Sequence, residues 1–445
     1  MERYKEYKKS VVPGMKEIPA HWKEILNGIL FKENVRKPNE NDIPLSLSQK
    51  DGLIPTDLMK ESSLKTSSYD NWKKVLKHDL VLNRFKAHLG VLMASDYEGM
   101  VSFHYGVYEP QLPLITKYYE LLYHTDIYKS IYAYSSNGMT VGLQNLSNIV
   151  FYSIKGIYPP LAEQEKIVSY LENKTPKIDA YVADKEKEIE LLQELKQKTI
   201  ADAVTKGLNP DAKMKDSGIL WIGEIPEHWE VCRMKRVFSE AKEKTTTESG
   251  TLLSLSQYTG ITLKDEAKKV GMFEAESTIG YNVVHPGQFV MNIMLAWNGS
   301  YAVSDYEGII SPSYCVFNFN EDCEKKYFHY LLRLPAYAGA FKTMSKGIIE
   351  SRLRLYPIYF LTFKTIIPPL DEQQAIVAYI EEKCEKIDKL ASELQSEIDY
   401  LKEYKQRLIA DCVTGQINVA GSESRGSSLT LPSQSNVTKS NVQNV

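Results

Sequence analysis

Ile157-Tyr158-Pro159-Pro160-Leu161-Ala162-Glu163-Gln164 opens one stretch of the chain, and Ile366-Ile367-Pro368-Pro369-Leu370-Asp371-Glu372-Gln373 opens another, 209 residues later. The first closes on Ile200-Ala201-Asp202-Ala203-Val204-Thr205 and the second on Ile409-Ala410-Asp411-Cys412-Val413-Thr414. Aligned without a gap over 157–209 and 366–418, 26 of 53 positions are identical. A repeat of this length predicts a protein of two equivalent halves.

Each copy reads as helix. The two prolines precede a short helix, Leu161 to Asn173 and Leu370 to Lys383. In the first copy Thr175-Pro176 then restarts the chain, an N-cap residue followed by proline at the first helical position. The second copy has Cys384-Glu385 there, so its break is gentler or absent. A long helix comes next in each copy. In the second, Ile387, Leu390, Leu394, Leu401, Tyr404 and Leu408 recur at spacings of three and four, with Glu397 as the polar member, which is an a/d seam. The first copy has Ile178, Tyr181, Leu192 and Leu195, interrupted by Lys185, Glu188 and Thr199. Two such helices in one chain are expected to pack antiparallel as a coiled coil, related by a pseudo-twofold axis, and to hold two domains apart. Roughly 31 residues from 176 to 206 span about 46 Å at 1.5 Å per residue. B-DNA repeats every ~34 Å, so the length suits two DNA sites one turn apart. It suits a bare dimerisation device equally well.

Outside the repeats the chain reads as two mixed α/β domains, an α+β class overall. Ile18-Pro19-Ala20-His21-Trp22 and Ile225-Pro226-Glu227-His228-Trp229 open them, and the His-Trp pairs read as core anchors. The first opening matches the residues that come after the first helical copy. The repeat is therefore circular in character, and the N-terminus is expected beside the end of the second helix. In residues 23–156, strands are predicted at 79–85, 90–95 and 100–105, and helical spacing at 114–134 carries Tyr118, Tyr119, Tyr123 and Tyr128. The second domain repeats this order at low identity. Its islands are Ser254-Leu255-Ser256-Gln257 against Ser46-Leu47-Ser48-Gln49, and Asp305-Tyr306-Glu307-Gly308 against Asp96-Tyr97-Glu98-Gly99. The expected organisation is 1–156 domain one, 157–209 helical spacer, 210–365 domain two, 366–420 helical spacer, and 421–445 a disordered tail rich in Ser, Asn and Gln.

With 445 residues, 43% apolar and 25% charged, the composition is that of a water-soluble globular chain. There is no run of 18 apolar residues, so no transmembrane helix is expected, and Met1-Glu2-Arg3-Tyr4-Lys5 does not begin a signal peptide. Five cysteines without metal spacing fit a reducing cytoplasm. Net charge is +3 over 1–156, −2 over 157–209, 0 over 210–365 and −5 over 366–420. Contact with DNA phosphates is therefore expected from the domains and not from the acidic repeats. No phosphate-binding loop, HExxH, GxSxG or Asn/Asp-Pro-Pro-Tyr run occurs. A binding protein is favoured over an enzyme, with no metal and no catalytic residue assigned.

The Ile-Pro-x-His-Trp openings, the Ser-Leu-Ser-Gln islands, Pro-Pro-Leu-x-Glu-Gln before each helix and Ile-Ala-Asp-x-Val-Thr at its end resemble the specificity subunit of Type I restriction–modification systems, over about residues 8–420. The resemblance implies that each globular domain is a target recognition domain reading one half of a bipartite DNA site. It implies that the helices set the gap and bind two modification (methyltransferase) subunits. It further implies S-adenosylmethionine carried by those subunits, and ATP with Mg used by restriction subunits, with no cofactor bound by this chain.

Base edges and phosphates favour Arg, Lys, Asn and Gln. The DNA-contacting residues predicted are Gln49, Lys50, Asn83, Arg84, Lys86, Asn137 and Gln144 in the first domain. In the second they are Gln257, Tyr258, Asn292, Asn298, Lys346, Arg352 and Arg354. Polar groups kept in both helical copies, Glu163, Gln164, Asp179, Glu372, Gln373 and Asp388, are expected to face two copies of one partner, because internal packing alone would not need them. The competing readings are a coiled-coil interaction scaffold whose domains do not bind DNA, and a DNA methyltransferase or nuclease acting alone.

Overall fold

The computed structural model describes residues 2–49, 51–59, 69, 71–136, 145–256, 260–264, 277–320, 322–347 and 353–419. The chain divides into two compact units, and the division cuts across both long helices. The first unit holds residues up to Glu186 together with the stretch from Gln395, and the second holds Lys187–Leu394.

In the first unit, Tyr7–Lys9 pairs antiparallel with Glu17–Pro19, and Lys23–Leu26 pairs with Lys155–Tyr158. The central sheet is antiparallel, in the order Phe31–Glu33, Tyr105–Pro110, Leu80–Asn83, Leu92–Ala94. Two ribbons flank it, Leu45–Ser48 with Gly52–Pro55 and Lys73–Val75 with Gly99–Val101. Leu45, Leu47, Leu53, Val75, Val81, Val91, Val101 and Val107 form one buried cluster between them, the alternation expected of strands with one face inward. Helices Thr116–Tyr123 and Asp126–Ser135 occupy the region of helical spacing. They bury Tyr118, Tyr119, Tyr123, Tyr128 and Tyr132 completely.

The second unit repeats every one of these elements. Its sheet runs Phe238–Ala241, Tyr314–Phe319, Phe289–Asn292, Tyr301–Val303. The numbering offset is 207 at the opening hairpin (Met214–Asp216), 208 at the first ribbon (Leu253–Ser256) and 209 from Asn282–Val284 onward. In its aromatic core Phe317, Phe328 and Phe341 stand where the first domain has Tyr108, Tyr119 and Tyr132; with Phe238, Phe289 and Phe360 they pack edge to face, tilted and stacked, arrangements that add to simple burial.

The long helices are Leu161–Lys206 and Leu370–Val413. Two expectations are corrected here. The first helix is not broken at 175–176: Pro176 lies inside a continuous helix, while the second runs unbroken through 384–385, one of the two alternatives expected there. An interior proline costs about 3 kcal/mol through a lost hydrogen bond and a steric clash. Here the flanking turns are pinned by buried Leu171, Ile178 and Val182, and that burial outweighs the loss. Nor does the seam include Leu195, which is 41% exposed. In the first unit the seam is made by Ile178 and Val182 with Ile398, Leu401 and Leu408, and Tyr181 donates to the Glu397 carboxylate at 3.2 Å. The helices are antiparallel there, since Asp179 pairs with Lys405 and Glu186 with Lys402.

The N-terminus does lie beside the end of the second helix. Asn418 N donates to Glu2 O at 2.9 Å, and the Tyr7 hydroxyl donates to Gly415 O at 2.9 Å.

Candidate nucleic-acid interface

Each long helix begins at a junction that the Pro-Pro-Leu-x-Glu-Gln run builds. Gln164 is fully buried: its amide donates to Pro159 O at 2.9 Å and its oxygen accepts from Ile115 N at 2.9 Å. Gln373 does the same with Pro368 O at 2.8 Å and Glu324 N at 3.0 Å. The preceding glutamate holds the His-Trp anchor. Trp22 Nε1 donates to Glu163 Oε2 at 3.0 Å, with His21 Nε2 2.7 Å from the other oxygen. Trp229 and His228 hold Glu372 at 3.0 and 2.6 Å. Both indoles are fully buried.

The far ends are tied too. Tyr118 OH donates to Val413 O at 2.7 Å and Tyr327 OH to Val204 O at 2.8 Å. Burial pushes both phenols well above their ordinary pKa, so they stay protonated donors. Along the helices Asp179–Lys405, at 2.6 Å, and Lys196–Asp388, at 2.7 Å, are one ion pair made twice.

These contacts correct the assignment of two of the partner-facing residues, Gln164 and Gln373. Glu163 and Glu372 hold the His-Trp anchors and Asp179 and Asp388 pair across the helices, the two aspartates with more than half of the side chain exposed. Gln164 and Gln373 are buried beyond the reach of a partner.

The predicted DNA-contacting residues that are described gather at one end of each domain. In the first, Gln49 is exposed in the turn of the first ribbon, and its amide donates to Leu89 O at 3.2 Å. Asn83 ends its strand, and its side-chain oxygen accepts from Phe85 N at 3.1 Å and Lys86 N at 3.2 Å. It caps a turn and does not reach outward. Arg84 is likewise taken up inside: its guanidinium is 2.5 Å from Glu33 Oε1, which also takes Lys73 at 2.7 Å. Lys86 is exposed.

In the second domain Asn292 is buried, and its oxygen accepts from Met294 N at 2.9 Å, the same capping role. Asn298 is exposed on that turn. Lys346 and Arg354 are exposed and bridged through their backbones, each N–H to the other's carbonyl at 2.9 Å. The Lys346 ammonium lies 5.3 Å over the Tyr359 ring. Leu355 N donates to Ile293 O at 2.9 Å, which joins this bridge to the turn. Leu146 N to Arg84 O, at 3.0 Å, is its counterpart in the first domain. Lys50, Asn137, Gln144, Gln257, Tyr258 and Arg352 lie outside the described residues.

Polar residue types alone missed the exposed apolar groups on the same turns, Phe85 and Leu89 in the first domain and Met294 and Leu295 in the second, and Phe103 on the turn beside the first. Among the described residues no group of three His, Cys, Asp or Glu is placed to hold a metal ion, and no helix is long and apolar enough to cross a membrane.

No family model matches the chain. It is 26% identical over 298 residues to the Type I restriction enzyme MjaVIII specificity subunit of Methanocaldococcus jannaschii, over 62% of this chain and 65% of that one. A second protein of that organism, provisionally named the type I restriction enzyme MjaX specificity subunit, is 23% identical over 94% of this chain and 99% of its own length. Among solved structures, the HsdS subunit from Thermoanaerobacter tengcongensis superimposes with a TM-score of 0.53 at 14% identity, over 92% of this chain and all of that one. A chain from a structure on complex assembly and conformational transition of the type I R-M system gives 0.65 at 15% identity, over 90% of this chain and 99% of that one. The chain thus has relatives among specificity subunits and shares their fold.

Proposed function

We propose that this chain, a relative of Type I restriction enzyme specificity subunits, is the DNA-reading subunit of such a system. Each globular domain reads one half of a split, asymmetric site. The two long helices set the gap and dock two modification subunits. The chain has no catalysis of its own: methyl transfer from S-adenosylmethionine to adenine belongs to the modification subunits, and ATP-driven work to restriction subunits.

The observation that carries this reading is the duplication itself. Both units make the same junction, from Gln164 or Gln373 to the domain backbone and from Glu163 or Glu372 to the His-Trp anchor. Two identically mounted domains supply two equivalent readers, which a split DNA site requires and a single-ligand binder does not.

The test is co-purification with modification subunits of the same host, followed by sequencing of the DNA for methylated adenines. A complex of one such chain with two modification subunits, marking one split motif, is the expected result. Absence of a partner, together with DNA affinity that does not fall steeply with salt, would replace this reading with that of an interaction scaffold, since phosphate contacts release counterions and must be salt-sensitive.

A further inference from the structure

The turn after the third strand of each central sheet has one backbone and two sets of side chains. It reads Asn83-Arg84-Phe85-Lys86-Ala87-His88-Leu89-Gly90 in the first domain and Asn292-Ile293-Met294-Leu295-Ala296-Trp297-Asn298-Gly299 in the second. The three identical positions are those the turn is made of. The asparagine oxygen accepts from the backbone two residues on, at 3.1 Å from Phe85 N and 2.9 Å from Met294 N. The alanine side chain is fully buried in both. The glycine sits at φ +73° and +80°, in the left-handed region that a side chain disfavours.

The positions between them differ throughout, and several hold apolar side chains in water. Phe85 is 42% exposed, Met294 40% and Leu295 43%. The neighbouring turn repeats the pattern: Ser102 and Tyr105 match Ser311 and Tyr314, while Phe103-His104 is replaced by Pro312-Ser313. His104 lies 3.9 Å from Phe103 and 5.9 Å from Phe85, ring to ring.

Large apolar groups kept exposed on a fixed frame mark a contact surface. Their divergence between two identically mounted domains means that the two contacted surfaces differ in chemistry while sharing one shape. Two unlike sequences of one DNA duplex meet that condition. The neighbouring exposed cations, Lys86 in one domain and Lys346 with Arg354 in the other, supply the phosphate contacts that seat such a surface.

We propose that this turn is the sequence-discriminating element of each domain. Phe85, with Phe103 and His104 beside it, lies against base edges or a base step of one half-site, and Met294 with Leu295 against the other. This assignment rests on the DNA-reading function proposed above.

The experiment uses the full chain purified with its modification subunits. The probe is a duplex carrying the methylated motif recovered from the wild-type complex. Phe85→Ala is expected to lower affinity about tenfold or more at fixed salt and to relax base preference in one half-site only. It should leave the slope of log affinity against log salt unchanged, because an apolar contact releases no counterion. Lys86→Ala should reduce that slope by about one, with little change in motif. Met294→Ala should relax the other half-site. Phe85→Met, which keeps an apolar side chain on an exposed position, controls for folding and should alter the motif more than the stability. A wild-type complex that marks no split motif removes the function on which the assignment stands. A split motif indifferent to Phe85→Ala and Met294→Ala removes the assignment alone.

Discussion

The junction at the head of each long helix and the tip of each domain are both duplicated, and they keep opposite things. At the junction the side chains are identical, and their bonds agree to about a tenth of an ångström: Trp to Glu at 3.0 Å in both units, Gln to domain backbone at 2.9 and 3.0 Å. At the tip the backbone is kept and the exposed side chains are replaced. A surface that closes on its own chain cannot change one partner without the other. A surface that faces outward needs only its frame.

If the junctions are equivalent, damage to either should cost the same in its own unit. Trp22→Ala and Trp229→Ala each remove a fully buried indole, and a loss of about 3–5 kcal/mol is expected in the unit affected. Hydrogen exchange read separately over each unit checks this, because one melting curve does not describe a two-unit chain. A difference of several-fold between the two would break the equivalence.

The next effect should separate the units. Burial, assisted by Arg333, pushes the His329 imidazole down to about 4. Burial lowers His124 in the first domain as well, but Glu120 and the Leu92 carbonyl pull the other way. Below about pH 6.5 the unfolded histidine takes a proton that folded His329 refuses. The second unit should therefore lose stability as pH falls from 6.5 to 4, by at most about 3 kcal/mol. His329→Gln should flatten that dependence, and the first unit should show a shallower one.

Gln164→Ala and Gln373→Ala each leave a part-buried backbone N–H without its acceptor, for about 1 kcal/mol, equal in the two units. Smallest of all, Asp179→Ala and Asp388→Ala break mostly exposed ion pairs and should each cost under about 1 kcal/mol, less at high salt. A large loss from either would show that the pair does more than link the helices.

Much of the fold could be read from the sequence because it is periodic or repeated. The two long helices, the His-Trp anchors and the meeting of the chain's start with the second helix's end all follow from the offset and the spacing. Pro176 misled because propensity is local, while the burial of Leu171, Ile178 and Val182 that overrides it is tertiary. Gln164 misled in the same way: its polarity suggested solvent, but its partner stands 49 residues away in sequence. Arg84 looked like a free cation because Glu33 is 51 residues off. Asn83 was readable as a cap, since it precedes a turn closed by Gly90. The exposure of Phe85, an apolar side chain in water, could not be read from its residue type, and only the comparison of two copies of one frame draws notice to it.

The division of the chain also sets an order of completion during synthesis. Among the described residues the second unit draws only on the segment Lys187–Leu394, whereas the first needs the stretch from Gln395 onward as well. Tyr118 waits for Val413, and Tyr7 for Gly415. The first unit therefore leaves the ribosome ahead of the second and is finished after it, with contacts some 300 to 400 residues apart in sequence. Long loop closure is slow, and until it happens the apolar end of its helix stays open to water and to other chains. The N-terminal half is thus the half exposed to capture while translation runs on, and the C-terminal half closes without waiting for a distant segment.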